Sequence, residues 1–236
     1  MTNHQLIILV PKGAEYNAVC RGVKYPDPRL LQEVGDLESK VFSIPVGVKA
    51  LTQYLENDFS AFPSKVLIMG LCGSLSPKYK VGDVVLYESC VYGGEVWECD
   101  RNFTTQLYHH LKTKATLVKS LTSDSVVYST SEKRRLMENF PAEVVDMEGF
   151  AALKVLSQKG ISVAMLRVVS DDSQHNIPNL NSAIDDRGNL QPLPLAWEMI
   201  TQPIAAFNLV KGSLQGLKLL QQVASELNKC HLLSLE

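Results

Sequence analysis

Short apolar runs alternate with polar, turn-forming stretches along the chain. Residues 6–10 (LIILV) are apolar throughout and closed by Pro11 and Gly13, which predicts a strand covered on both faces. A turn leads into a helix over 14–22, a second strand occupies 41–46, and apolar residues at helical spacing follow over 48–55. The run 65–69 (KVLIM) predicts a third strand, ending in a loop of small residues, Gly70-Leu71-Cys72-Gly73-Ser74. Beyond Val81-Gly82 come a β-rich stretch over 83–91, a strand over 116–121, a helix over 131–139 with Ser131 as its N-cap, and a short strand over 142–145. A helix over 147–158 closes at Gly160, and 161–169 (ISVAMLRVV) is the strongest strand pattern in the chain. Residues 170–194 carry no regular period, as a functional loop would. Pro203 then opens a long amphipathic helix reaching about residue 228.

Strands alternating with helices imply an α/β fold, a three-layer α/β/α sandwich around a mixed, largely parallel, twisted sheet. No linker, repeat or low-complexity tract interrupts residues 1–236, so one domain is expected. Composition narrows the class further. With 45% hydrophobic and 20% charged residues the chain reads as an ordinary globular protein, and a net charge of −2 argues against a nucleic-acid partner. The five cysteines, Cys20, Cys72, Cys90, Cys99 and Cys230, are odd in number and show no CxxC spacing. That disfavours a zinc site or a disulfide framework and fits a reducing cytoplasm. The opening residues lack a signal peptide's apolar core, and no apolar run of about 18 residues provides a membrane anchor.

Ligands of open α/β sheets bind beyond the carboxyl ends of the strands. Glu15 follows the first strand, the small-residue loop follows the third, Asp146-Met147-Glu148 follows the short strand, and Ser170-Asp171-Asp172 follows the strongest one. Three strand ends thus bring carboxylates to one rim, beside a loop small enough for backbone to approach a ligand. This arrangement suits cleavage of an N-glycosidic bond. Positive charge develops on the sugar, the departing base takes a proton from a carboxylic acid, a second carboxylate grips the ribose hydroxyls, and a third activates water.

The motifs sharpen this reading. Val145-Asp146-Met147-Glu148 resembles the V-[DE]-M-E segment of the nucleoside phosphorylase and nucleosidase superfamily, Arg167 through Asp171 resembles its R-x-x-S-D segment, and Gly70 to Leu75 with Gly82-Asp83-Val84-Val85 resembles its G-x-[AC]-G-x-[IL] … G-D-[IV]-V pattern. Glu15 stands where methylthioadenosine/S-adenosylhomocysteine nucleosidases carry a water-activating glutamate. The resemblance implies that family's fold and site. Asp171 protonates the purine with Ser170 in support, Met147 and Glu148 hold the ribose, Glu15 orients water, and Leu71, Cys72 and Gly73 with Val126 and Val127 surround the base. Val126 replaces the aromatic residue of the methylthioadenosine enzymes, and Ile177-Pro178, Asp186-Arg187-Gly188 and the long last helix are similar to the hopanoid-associated branch. The resemblance also implies a homodimer, a small nucleoside as substrate, and neither metal nor organic cofactor.

Phosphate remains the alternative nucleophile. Family phosphorylases carry an arginine in the strand before the G-x-[AC]-G loop. Residues 65–69 hold none, which favours hydrolysis. Taken singly, Asp171 reads as a turn or N-cap residue, and Glu148 and Glu15 as first-turn glutamates. Arg167 is expected to pair with a carboxylate inside its strand, Cys72 to be a small packing residue, His109 and His110 to lie at the surface, and His175 is the weaker candidate for lining the site. Two other classes compete: a methyltransferase, disfavoured because residues 76–82 do not open a helix after the glycine loop, and a nucleoside-binding module without catalysis.

Overall fold

The alternation of buried side chains along three strands decides the architecture. The computed structural model describes residues 6–23, 41–59, 63–111, 114–183, 185 and 191–229. β1 (Leu6–Pro11), β3 (Lys65–Ser74) and β8 (Ser162–Asp171) form the centre, with β2 (Val41–Ile44) outside β1. Ile7, Leu9, Ile68, Val163 and Met165 point to one face, where they pack with α2 (Val48–Gln53) and α5 (Gly149–Gln158). Leu6, Ile8, Val10, Leu67, Met69, Ala164 and Leu166 point to the other, under α1 (Ala14–Val23), α3 (Arg101–Leu111) and α7 (Pro203–Lys229). Strands buried on both faces read as unbroken apolar runs, which is why 6–10 and 161–169 were legible. Each fully buried Leu or Ile contributes roughly 1.5–3 kcal/mol, so these two clusters hold the three layers together.

β8 continues the sheet to β4 (Val84–Tyr92), whose first half runs antiparallel to it and whose second half pairs with β5 (Glu95–Glu98). β4 also pairs with β6 (Ala115–Thr122), and β6 with β7 (Val144–Asp146), both in parallel. β7 then returns antiparallel to the tip of β3, at Gly73 and Ser74. The sheet is therefore mixed and largely parallel, as the sequence predicts. α4 (Thr130–Asn139) covers a third small cluster of Leu75, Val91, Leu121, Val127, Ala142 and Val145.

Several local expectations are corrected. The segment 70–74 is not a loop. It continues β3, because β8 pairs with it as far as Gly73 and β7 pairs with its last two residues. Ser129, not Ser131, caps α4, accepting a hydrogen bond from the Glu132 N–H at 3.2 Å. α5 begins at Gly149, leaving Met147 and Glu148 in the turn after β7. β8 runs on to Asp171, and the stretch expected to be irregular contains a 3-10 turn, Asn181–Ala183, and the start of α6 (Pro192–Thr201). β5 and α3 were not anticipated. Cys230, residues 1–5 and the segment Asp186-Arg187-Gly188 lie outside the described residues. Among the described residues no helix is long and apolar enough to cross a membrane, and no group of three His, Cys, Asp or Glu side chains could hold a metal ion.

Candidate active site

The ends of β1, β3, β6, β7 and β8 meet around one cavity of about 570 Å³. All ten residues nominated from sequence line it: Glu15, Leu71, Cys72, Gly73, Val126, Val127, Met147, Glu148, Ser170 and Asp171. Its polar end is built on Arg167, which has no exposed side-chain surface. Arg167 Nη2 donates to Asp146 Oδ2 at 3.2 Å and to Glu148 Oε2 at 3.5 Å. The arginine is thus paired with carboxylates, as an ion inside a strand must be. Its Nε and Nη1 have no partner among the described residues. A Cβ on Gly70 would strike this guanidinium and come within 2.7 Å of Glu15 Oε1, so only glycine leaves room for the charge cluster.

Glu15 is half-buried, but its carboxylate turns inward and accepts the Leu71 N–H at 2.6 Å. Burial raises its pKa above the ordinary range. Arg167 and the Leu71 hydrogen bond act in the opposite direction, and the Asp146 charge adds to the rise. Glu148 is buried, and its Oε1 accepts the Gly47 N–H at 3.2 Å. Desolvation pushes Glu148 up to about 7 against the pull of Arg167, helped by the charges of Asp146 and Glu15. The same desolvation drives the Cys72 thiol far above neutrality, so it stays protonated and serves packing.

Asp171 stands at the tip of β8 with both oxygens held. Ser170 Oγ lies 2.9 Å from Oδ1 and 3.2 Å from the Cys72 carbonyl oxygen, and its single proton serves one at a time. Lys133 Nζ of α4 donates to Oδ2. Lys133 was missed from sequence, although a signal existed. With Leu136, and with Phe140 just past the helix end, it faces inward, a position where a lysine calls for an explanation. A Cβ on Gly73 would lie 2.8 Å from Asp171 Oδ2, so the second glycine of the motif makes room for this carboxyl. Asp172, the next residue, is engaged elsewhere, with both of its oxygens 2.9 Å from Nδ1 of His175. His175 lines a neighbouring cavity of about 380 Å³ instead of the main one.

The family model for the phosphorylase superfamily matches residues 48–189, more than half of the chain's 236 residues. The chain belongs to the phosphorylase superfamily. No curated relative matches it. Among solved structures, a Helicobacter pylori 5'-methylthioadenosine/S-adenosylhomocysteine nucleosidase with butyl-thio-DADMe-Immucillin-A is similar at 18% identity and a TM-score of 0.67, over 99% of this chain and 100% of that one. The Neisseria meningitidis nucleosidase in complex with methylthio-immucillin-A gives 15% identity and a TM-score of 0.67, over 98% and 100%. Futalosine hydrolase of Helicobacter pylori gives 18% and 0.62, over 94% and 98%. At these identities the likeness concerns the fold.

In this superfamily member the Val126 side of the cavity is tied to the segment that follows β8. The Asn181 side chain accepts from the Val126 N–H at 2.7 Å and donates to the Val126 carbonyl at 3.2 Å, so both backbone polar groups of Val126 are engaged. Ile177 N–H bonds to the Tyr128 carbonyl at 3.0 Å, tying the segment after β8 to the approach of α4. The rest of the lining is largely apolar and includes Leu195 and Met199 of α6 and Leu209, Val210, Leu214 and Leu217 of α7.

Proposed function

We propose that this protein is a purine nucleosidase that hydrolyses the N-glycosidic bond of an adenine-type nucleoside to free base and sugar. One observation carries the reading. A single cavity gathers a fixed carboxyl group, Asp171, and from two other strand ends a desolvated pair, Glu15 and Glu148, set around a buried arginine. Asp171 protonates a purine ring nitrogen while the C1'–N9 electron pair passes to the base. Water adds to C1' and gives a proton to Glu15, whose raised affinity for protons suits a base. Glu148 and Met147 hold the ribose, and Ser170 with the Leu71-Cys72-Gly73 backbone keeps Asp171 in place.

Phosphorolysis is the second reading. An incoming phosphate would meet Glu15 and Glu148, and Arg167 is already matched with Asp146 and Glu148, so water is the favoured nucleophile. The relatives described as nucleosidases and as futalosine hydrolase support hydrolysis of a nucleoside by this fold. The reading also makes the protein a cytoplasmic homodimer acting as one domain per chain. The test is release of free base from adenosine, methylthioadenosine, S-adenosylhomocysteine and inosine, each with and without phosphate. Adenine release independent of phosphate is expected. Strict phosphate dependence would make the protein a phosphorylase, and nucleoside binding without any release would make it a binding module.

A further inference from the structure

α4 buries one side chain fully, and it is the lysine at position 133. Its ammonium has given up its hydration, which for an uncompensated ion costs several kcal/mol. Its Nζ donates to Asp171 Oδ2 and, at 2.6 Å, to the Asp172 carbonyl oxygen. Asp171 faces the cavity whereas Lys133 does not line it, so the ammonium stands behind the carboxyl group, away from a ligand. Both partners are fixed. Ser129 caps the helix that carries Lys133, and the Thr130 N–H bonds to Asn176 Oδ1 at 2.8 Å, joining that helix to the segment following Asp171.

We propose that Lys133 is a positioning residue for base departure, a buried counter-charge for the carboxylate that Asp171 becomes when its proton passes to the purine. The proposal rests on the nucleosidase reading. In the reacting complex, where Asp171 carries the proton that the purine takes, the buried ammonium meets a carboxyl group without net charge and is only partly compensated. As the C1'–N9 bond breaks and the base takes Asp171's proton, negative charge develops on Oδ2 beside a preformed ammonium that keeps all its own protons. An interaction that strengthens only along the reaction raises kcat and leaves substrate binding nearly untouched.

Lys133→Met keeps the length and bulk of the side chain and removes the charge. Two substrates separate the roles: the purine nucleoside that the wild type cleaves best, and p-nitrophenyl β-D-riboside, whose phenolate leaves without a proton. For the purine nucleoside kcat should fall by about 100-fold or more with KM within about threefold, whereas turnover of the riboside should change by less than about threefold. Lys133→Arg should recover at least about tenfold of the loss, and Lys133→Met should add nothing to Asp171→Asn, because the two act as one unit. Lys133→Gln carries the same comparison if the Met variant does not fold. Equal losses on both substrates, or full activity of a folded Lys133→Met, would overturn the proposal. A wild type that releases no base would instead sink the nucleosidase reading itself.

Discussion

Arg167 is the largest side chain without exposed surface among the described residues, and the carboxylates around it set the chemistry of the polar end. Glu148 has the clearest pH signature. Its ordinary value is 4.5, and burial raises it in the folded protein to about 7. Below the unfolded value both states hold the proton. Between the two values the folded state keeps a proton that the unfolded chain has released, so stability falls as pH rises and levels off above the folded value. At about 1.4 kcal/mol per unit the whole window is worth at most roughly 3.5 kcal/mol. Glu148→Gln lacks this slope. Its Tm should match the wild type at acid pH and exceed it by several degrees at mildly alkaline pH, even as base release is lost; an equal Tm difference at both would show that Glu148 is not the titrating group. Asp171→Asn removes the transferable proton but keeps the shape, and base release should drop about 1,000-fold or more, with some loss of Tm because the buried Lys133 ammonium loses its carboxyl partner. Near-normal turnover would remove Asp171 from the mechanism.

The tip of β3 shows how an element becomes a site. Residues 70–74 hold two glycines, a cysteine and a serine, a composition that reads locally as a loop. Pairing with β8 on one side and β7 at the end turns them into strand, which fixes Leu71 N–H against Glu15 and the Cys72 carbonyl against Ser170. Gly70→Ala should cost about 1–3 kcal/mol and several degrees of Tm by forcing Arg167 aside, and should lower activity in step; wild-type melting would mean the cluster shifts freely. The same contrast marks what was legible. β1, β8 and the carboxylates that follow the strands could be read because their signals lie within a few neighbouring residues. α3 was legible in principle, since Phe103, Leu107 and Leu111 recur at helical spacing and are buried. α6 was hidden by Pro192 and Pro194 and by a sequence with no buried face. Lys133 on Asp171 and Asn181 on Val126 span 38 and 55 residues, and no local pattern announces such pairings.

At the scale of the molecule, the apolar surface is concentrated on α6 and the first half of α7. Leu193, Trp197, Ile200, Ile204 and Phe207 are between 65% and 84% exposed, far more than a buried-core helix pair would leave in water. Leu193, Trp197 and Ile200 follow helical spacing, so they form a stripe instead of scattered exposures. The two helices pack against each other, and other residues on them, Leu195, Met199 and Leu209, wall the cavity. A second copy laid on this stripe would bury it and brace that wall of the site, which is the physical case for the proposed homodimer. Sedimentation at micromolar concentration should give a dimer for the wild type and a monomer for the Trp197→Glu, Phe207→Glu double variant. The monomer should keep its fold by circular dichroism yet lose about tenfold or more in kcat/KM, because a loosened α6–α7 wall admits water and misplaces substrate. A wild type that sediments as a monomer would refute the dimer. A monomeric double variant with full activity would keep the dimer and show that each chain completes its own site.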